Sequence, residues 1–174
     1  EPAEPSSISN DMVLAIYEDS LGFVWVGTEK GLNRFHPDTL TFDRYFSKRG
    51  SANSFSSDIP WSFYEHTDGT LWIGTAGGGI NFWSAEDRAQ SIVNIGRFSN
   101  QFSLPSSNIY GIQGDDNGWV WVSHTLGLTR INPKSHESYH YGVRDGLQAK
   151  EFSLGASFKS KSGTIYFGGI NGFN

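Results

Sequence analysis

The chain has 174 residues, of which 15% are aromatic, 21 are glycine and only 18% are charged, with a net charge of −5. This composition suits short strands and tight turns, and the lack of a basic cluster argues against a nucleic-acid surface. The absence of cysteine excludes a disulfide framework and a thiolate metal site. There is no signal peptide and no apolar run near the roughly 20 residues of a membrane helix, although both can lie outside this stretch.

Four short antiparallel strands are predicted in the first unit of the chain, at about residues 9–46. In chain order they are "MVLAIYED", "FVWVGT", "LNRFH" and "LTFDRYF". The segments between them, "DSLG", "TEKG" and "HPDT", have the Gly, Asp and Pro residues of tight turns. Aromatic and β-branched residues dominate the strands, as expected for one blade-sized sheet.

The same order of strands and turns returns three times. The later units are predicted at about 57–98, 107–143 and 152–174, and the last breaks off after its third strand. An aromatic anchor recurs in the second strand of each unit, with separations of 47, 49 and 45 residues, at Trp25, Trp72, Trp121 and Tyr166. Such a period predicts an all-β fold, a partial β-propeller of about three and a half four-stranded antiparallel blades in one segment, 1–174.

The anchors and the turn glycines have a structural interpretation. A lone four-stranded sheet leaves two apolar faces in water, and stacking blades around an axis buries both. We expect the anchors to fill the gaps between blades, each burying about 150–250 Å²; the alternative is that they stack against a ligand. The glycines three residues before the anchors are interpreted as turn residues: Gly22, Gly69, Gly118 and Gly163.

One motif has the letters of a metalloprotease site. "HESYH", His136–His140, matches H-E-x-x-H, a pattern that binds zinc only on a helix. Here it follows Pro133 and aligns with the predicted hairpin "HPDTLTFDRY", where residues four apart lie roughly 13 Å from each other. No third ligand is evident in the sequence. We therefore expect a solvated hairpin, with no metal and no cofactor.

Enzyme signatures are otherwise weak. The glycine run of "GTAGGGINF" lacks the Gly-Lys-Ser/Thr ending of a phosphate loop and leads into a strand. The seven arginines are scattered rather than clustered as a sialidase requires. A glycosidase needs two carboxyl groups facing each other across a cleft, and no pair stands out. We expect this segment to have no catalytic residues.

A binding surface is expected at one end of the propeller. That end is formed by the crossings, which are the segments that join one blade to the next, and by the turns between the second and third strands of each blade. Sugar recognition favours an aromatic platform beside hydrogen-bonding groups, and Trp61 has such neighbours. The alternatives are that Trp61 packs between blades, that the charged residues are solvated, and that His124 is a tolerated replacement of Thr. The candidate ligand-binding residues are Glu29, Lys30, Trp61, His124, Arg144, Asp145 and Asn171, with Thr125 beside His124.

The stretch "LAIYEDSLGFVWVGTEKGLNRFHP", Leu14–Pro37, closely resembles the repeat of the two-component regulator propeller family. The serine-rich "SSD" and "SSN" before the first strands of units two and three fit that pattern too. The resemblance covers nearly the whole chain. Its departures are local: Ser123 and His124 replace the usual Gly-Thr, and Tyr166 replaces Trp.

The resemblance implies a sensor. The stretch from Gly146 to Asn174 resembles the closing repeat, which in this family leads into an immunoglobulin-like domain, a membrane helix and an output domain. The output is a histidine kinase, often of hybrid type, or a GGDEF-type diguanylate cyclase. The resemblance also implies that the propeller lies in the periplasm, outside the inner membrane, with no membrane insertion of its own. Ligands known for the family are mostly polysaccharide fragments.

The blade number raises the question of closure, because the family's propellers usually have seven blades. Either the chain is the C-terminal half of a propeller or two chains close a ring. We expect the open faces of blade 1 or blade 4 to self-associate or to bind the remaining blades. The leading hypothesis is a non-enzymatic extracytoplasmic sensor. The alternatives are an interaction scaffold that assembles the receptor dimer and a carbohydrate-active propeller enzyme.

Overall fold

A computed structural model describes residues 4–98 and 104–174. They form three four-stranded antiparallel sheets and one three-stranded sheet, each with strands in chain order. The strands are β1 (Val13–Glu18), β2 (Val24–Thr28), β3 (Gly31–His36), β4 (Thr41–Tyr45), β5 (Pro60–Glu65), β6 (Leu71–Thr75), β7 (Ile80–Trp83), β8 (Gly96–Arg97), β9 (Ile109–Gly114), β10 (Val120–His124), β11 (Gly127–Ile131), β12 (Ser138–Tyr141), β13 (Phe152–Lys159), β14 (Ile165–Gly169) and β15 (Gly172–Phe173).

The four sheets are the blades of a partial propeller. The first strands, β1, β5, β9 and β13, contact one another in succession, so they line a common axis. The predicted all-β propeller class is therefore confirmed. Blade 2 differs from the predicted pattern, because a short helix, α1 (Ala85–Ala89), is inserted before its two-residue outer strand. Ser84 caps that helix by accepting a hydrogen bond from the Asp87 N–H.

Apolar side chains fill the space between neighbouring blades. Trp25 of blade 1 packs with Leu71, Ile73 and Trp83 of blade 2 in a fully buried cluster. Trp72 packs in the same way on blade 3, and Trp121, which is partly buried, packs on blade 4. The second-strand aromatic therefore faces the following blade in blades 1 to 3. Tyr166, at this position in blade 4, is 38% exposed.

Small residues let the blades approach closely beside each anchor. In every blade, a small residue of the first strand lies beside a small residue of the second strand, and one of the two is glycine. The pairs, first strand named first, are Ala15 and Gly27, Ser62 and Gly74, Gly111 and Ser123, and Ala156 and Gly168. Blade 3 reverses the order found in the other three. This exchange explains why Ser123 replaces the usual glycine of the repeat. Because Gly111 has no side chain, there is space beside it for the side chain of Ser123.

Asn side chains of the third strands attach the crossing segments. Asn33 Oδ1 accepts the Ser9 N–H at 2.9 Å, and Asn81 Oδ1 accepts the Ser56 N–H at 3.0 Å. Asn174 repeats this contact with Gln148 in blade 4, also at 3.0 Å. These bonds satisfy crossing N–H groups that a strand ladder cannot reach.

An aspartate organises the first turn of blades 1 and 3. Asp115 Oδ1 accepts the N–H groups of Asn117 and Trp119, and its Oδ2 accepts the Trp121 indole N–H at 3.0 Å. Burial raises the pKa of Asp115, but these hydrogen bonds outweigh it and hold that pKa below its ordinary value.

The turn glycines Gly22, Gly69, Gly118 and Gly163 all have φ between 79° and 86°. This conformation matches the predicted turns.

A buried ion network joins blades 1 and 2. Arg88 of α1 has no exposed surface, and its guanidinium donates to Asp19 Oδ2 at 2.9 Å and to Glu65 Oε1 at 2.5 Å. Two carbonyl oxygens, those of Gly69 and Trp83, accept its Nη1 at 3.0 and 2.8 Å. Every nitrogen of Arg88 therefore has a partner, as a buried charge requires.

No helix within the described ranges is long and apolar enough to cross a membrane.

Candidate ligand-binding surfaces

One end of the propeller, which we call the crossing face, carries the second-to-third-strand turns and the crossings. Backbone hydrogen bonds join the two sets: Gly31 N donates to Asp58 O at 2.6 Å, and Gly79 N donates to Ser107 O at 2.8 Å. The crossings are therefore held against the turns, as expected from the sequence.

A β-bulge recurs near the crossing end of the first strands. The register between first and second strands shifts at one unpaired residue in each of blades 1 to 3: Leu14, Trp61 and Tyr110. In blade 4 the shift covers the stretch between Phe152 and Ser157. A bulge leaves its extra residue out of the ladder and redirects the side chain, which is why bulges are common beside binding sites.

The bulges open into a cavity of about 360 Å³ on the axis, lined by all four first strands. Trp61 and Tyr110 form its aromatic wall, with ring centroids 5.5 Å apart and planes inclined at 39°. The Trp61 indole N–H donates to the Ile109 carbonyl, which fixes the ring. Gln113 and Ser157, joined at 3.2 Å, supply polar groups. We call this the axial cavity.

The other candidate residues lie away from the axial cavity. Glu29 and Lys30 are exposed on the β2–β3 turn, and Asn171 is exposed on the β14–β15 turn. Arg144 and Asp145 line a separate cavity of about 450 Å³ between blades 3 and 4. The structure thus distributes the candidates over the crossing face instead of gathering them in one site.

His124 is buried within blade 3 and not displayed at its surface. Its Nε2 is 2.8 Å from Thr129 Oγ1, and its Nδ1 accepts the Leu126 N–H at 3.2 Å. The ring also stacks on His140, with centroids 5.4 Å apart. Burial, and then the nearby His140, lower the pKa of His124 to about 4. The residue is a neutral packing element with both nitrogens engaged.

The larger ring fits because of a compensating change. Blades 1 and 2 have a Thr and an Asn at the positions that His124 and Thr129 occupy in blade 3. We expect His124→Thr to cost about 2 kcal/mol of unfolding free energy, because it leaves a cavity and removes the bond to Thr129. Adding Thr129→Asn restores the pair of the other blades, and at least half of the loss is expected to be regained in urea denaturation.

The same pair predicts the pH dependence of stability. As the pH falls below about 6.5 the unfolded chain protonates His124, whereas the folded chain does not until about pH 4. Stability should therefore fall over this window, by at most about 3 kcal/mol at about 1.36 kcal/mol per pKa unit. The double variant should lose most of this dependence, whereas His136→Asn, on an exposed turn, should keep it. An unchanged slope in the double variant contradicts the assignment.

The H-E-x-x-H letters span a turn and a strand. His136 lies in the turn with φ of 65°, and His140 lies on β12 against His124. The helical geometry that the motif needs is absent from this stretch. Within residues 4–98 and 104–174, no three His, Asp or Glu side chains are grouped so that they could hold a metal ion.

Sequence reasoning named one lining residue of the axial cavity, Trp61, and missed the others, among them Tyr110, Gln113 and Ser157. Tyr110 was detectable, because it occupies the same repeat position as Trp61 one blade later. It also did not name His140 or Lys150 as binding residues, although both line the cavity between blades 3 and 4. His140 was considered only as part of the H-E-x-x-H letters, and Lys150 belongs to no motif.

Known proteins resemble this chain along nearly its whole length. It is 33% identical over 172 residues to histidine kinase P4 of Formosa agariphila, a match that spans 99% of the chain but 12% of the relative. Among solved structures, the extracellular domain of BT3049 from B. thetaiotaomicron, described as a hybrid two-component system, superposes with a TM-score of 0.77 at 27% identity. That match covers 97% of the chain and 22% of the other.

A second structure, the extracellular domain of BT4673 from the same organism, superposes with a TM-score of 0.80 at 24% identity and shares the fold. It covers 98% of this chain and 24% of the other. The family model for the two-component regulator propeller matches residues 7–30, 54–77 and 103–125. Each match begins before the first strand of a blade, includes its first and second strands, and ends in the turn that follows the second strand. On the repeat, the fold and these relatives, the chain belongs to the two-component regulator propeller family.

Proposed function

We propose that the chain is the ligand-binding part of an extracytoplasmic sensor and that its axial cavity binds an oligosaccharide. The observation that carries this proposal is the Trp61–Tyr110 pair on adjacent bulges, which lines one cavity together with polar side chains. Sugars present apolar C–H faces and hydroxyl edges, so an aromatic wall with amide and hydroxyl groups nearby complements both. The cavity volume of about 360 Å³ falls within the range of small-ligand sites.

The position of the cavity suggests how binding would reach an output domain. All four first strands contribute to its wall, and these strands also form the contacts between blades. A ligand that bridges them would favour one packing of the blades over another, which is the differential interaction that any shift of conformation requires. We place the propeller in the periplasm as part of an inner-membrane histidine kinase, with a GGDEF-type cyclase as the alternative output.

Trp61→Ala is expected to weaken binding of an oligosaccharide by roughly tenfold, since a stacked aromatic contributes about 0.5–1.5 kcal/mol beyond the apolar area that it buries. The measurement is calorimetric titration of the purified protein with a panel of neutral and acidic oligosaccharides. Trp119→Ala is the matched control, because Trp119 packs against Arg130 on the outer part of blade 3. Equal weakening in both variants, or none in Trp61→Ala, contradicts a site at the axis.

A second candidate is an interaction scaffold that binds no small ligand. Three apolar side chains at the open face of blade 4 favour it: Phe158 is 64% exposed, Phe173 70% and Tyr166 38%. Their counterparts in earlier blades face the next blade, so further blades of the protein or a second copy would cover them. Absence of binding across the whole panel, together with concentration-dependent association in light scattering, would favour the scaffold. No catalytic role is proposed.

A further inference from the structure

We propose a second binding site, for a small organic anion with one apolar face, at the junction of blades 3 and 4. The site is the cavity of about 450 Å³ between the β10–β11 turn, the end of β12 and the crossing to β13. We call it the junction cavity. It shares no lining residue with the axial cavity, so the proposal does not depend on what binds at the axis.

The junction cavity gathers positive charge on a chain whose net charge is −5. Arg144 and Lys150 both line it. No ion pair within the described part of the chain uses Arg144 or Lys150; the Arg and Lys ion pairs found there involve Arg34, Arg88 and Lys159. Two permanent cations without an acidic partner favour a ligand with a negative group.

The acidic residue of the cavity is already engaged. Asp145 Oδ2 accepts the Gly142 N–H at 2.8 Å, which fixes the turn that presents Arg144. The cavity is lined by one carboxylate, which the backbone N–H engages, and by the two cationic side chains of Arg144 and Lys150, so its net charge is positive. His140 is held as well, because its ring stacks on His124 with an interplanar angle of 18°.

The apolar part of the cavity narrows the class of ligand. Leu126 and Val143 line it and are 46% and 49% exposed, so an apolar surface lies beside the cationic groups. An inorganic anion would leave this surface in water. A sugar acid or a sulfated sugar would cover it with the C–H face of the ring while its anionic group meets Arg144 and Lys150.

The test is calorimetric titration with D-glucuronate, glucose 6-sulfate and inorganic sulfate, with D-glucose as the neutral counterpart. We expect the anionic sugars to bind and the double variant Arg144→Gln/Lys150→Gln to bind them at least about tenfold more weakly. Both residues are exposed, so folding should be unaffected, which circular dichroism checks. Lys161→Gln, which changes an exposed lysine on the β13–β14 turn, should leave the affinity unchanged.

Each outcome bears on the proposal. Preference for glucuronate or for the sulfated sugar supports it and identifies the anionic group. Binding of inorganic sulfate alone overturns it, because the proposed ligand is an organic anion whose apolar face covers Leu126 and Val143. Binding of glucose as tightly as glucuronate, no binding of any anion at millimolar concentration, or unchanged affinity in the double variant overturns it.

Discussion

Arg88→Leu is expected to lower the unfolding free energy by about 3–5 kcal/mol, the cost of removing one partner from a buried ion pair. The substitution leaves the carboxylates of Asp19 and Glu65 facing each other across blades 1 and 2 without their cation. Hydrogen bonds from Trp25 and Ser20 to these carboxylates remain but do not balance the charge. Urea denaturation measures the loss.

The control for this prediction is Arg49→Leu, which removes an exposed arginine and should change stability by less than about 0.5 kcal/mol. A triple variant, Asp19→Asn/Glu65→Gln/Arg88→Met, removes all three charges together and should regain much of the stability that Arg88→Leu loses. A loss below about 1 kcal/mol for Arg88→Leu would show that the network does not hold the two blades together.

Gly27→Ala is expected to cost about 3 kcal/mol, because a β-carbon at this position would lie 2.2 Å from the carbonyl oxygen of Pro60. That oxygen belongs to the backbone of β5, so blade 2 itself must move to make room. The φ angle of Gly27 is not in the left-handed region, so the whole effect comes from the approach of the blades. Thermal and urea unfolding both report it.

Gly96→Ala is the matched control, since its added β-carbon would meet Phe82 at an ordinary distance of 3.6 Å. It should change stability by less than about 1 kcal/mol. If the two alanine variants prove equally stable, the blades are not held in the close contact that the structure shows.

The repeat made much of the fold predictable from the sequence. Each strand of blade 1 had a counterpart in the later blades, so turns such as Asp19–Gly22 were supported by several examples. Features that occur once had no such support. The helix α1 and its buried Arg88 appear only in blade 2, and the arginine's partners lie 69 and 23 residues away.

The candidate site was harder to predict than the fold. Trp61 was proposed from its residue type alone. The bulge that places it at the axial cavity depends on strand register, which the alternation of apolar and polar residues does not reveal. His124 was identified because it departs from the repeat. His124 can be buried because Thr129, on the neighbouring strand, replaces the Asn of blades 1 and 2. Only an alignment of the third strands of the blades would have shown this second replacement.

Hydrogen exchange, measured on the protein with and without the oligosaccharide that binds best, tests the central claim most directly. If the axial cavity is the sensing site, bound ligand should slow exchange in Pro60–Glu65 and Ile109–Gly114, the strands that carry Trp61 and Tyr110, and leave the outer strands unchanged. Slowed exchange confined to the open face of blade 4, or to any region that spares both strands, would contradict it.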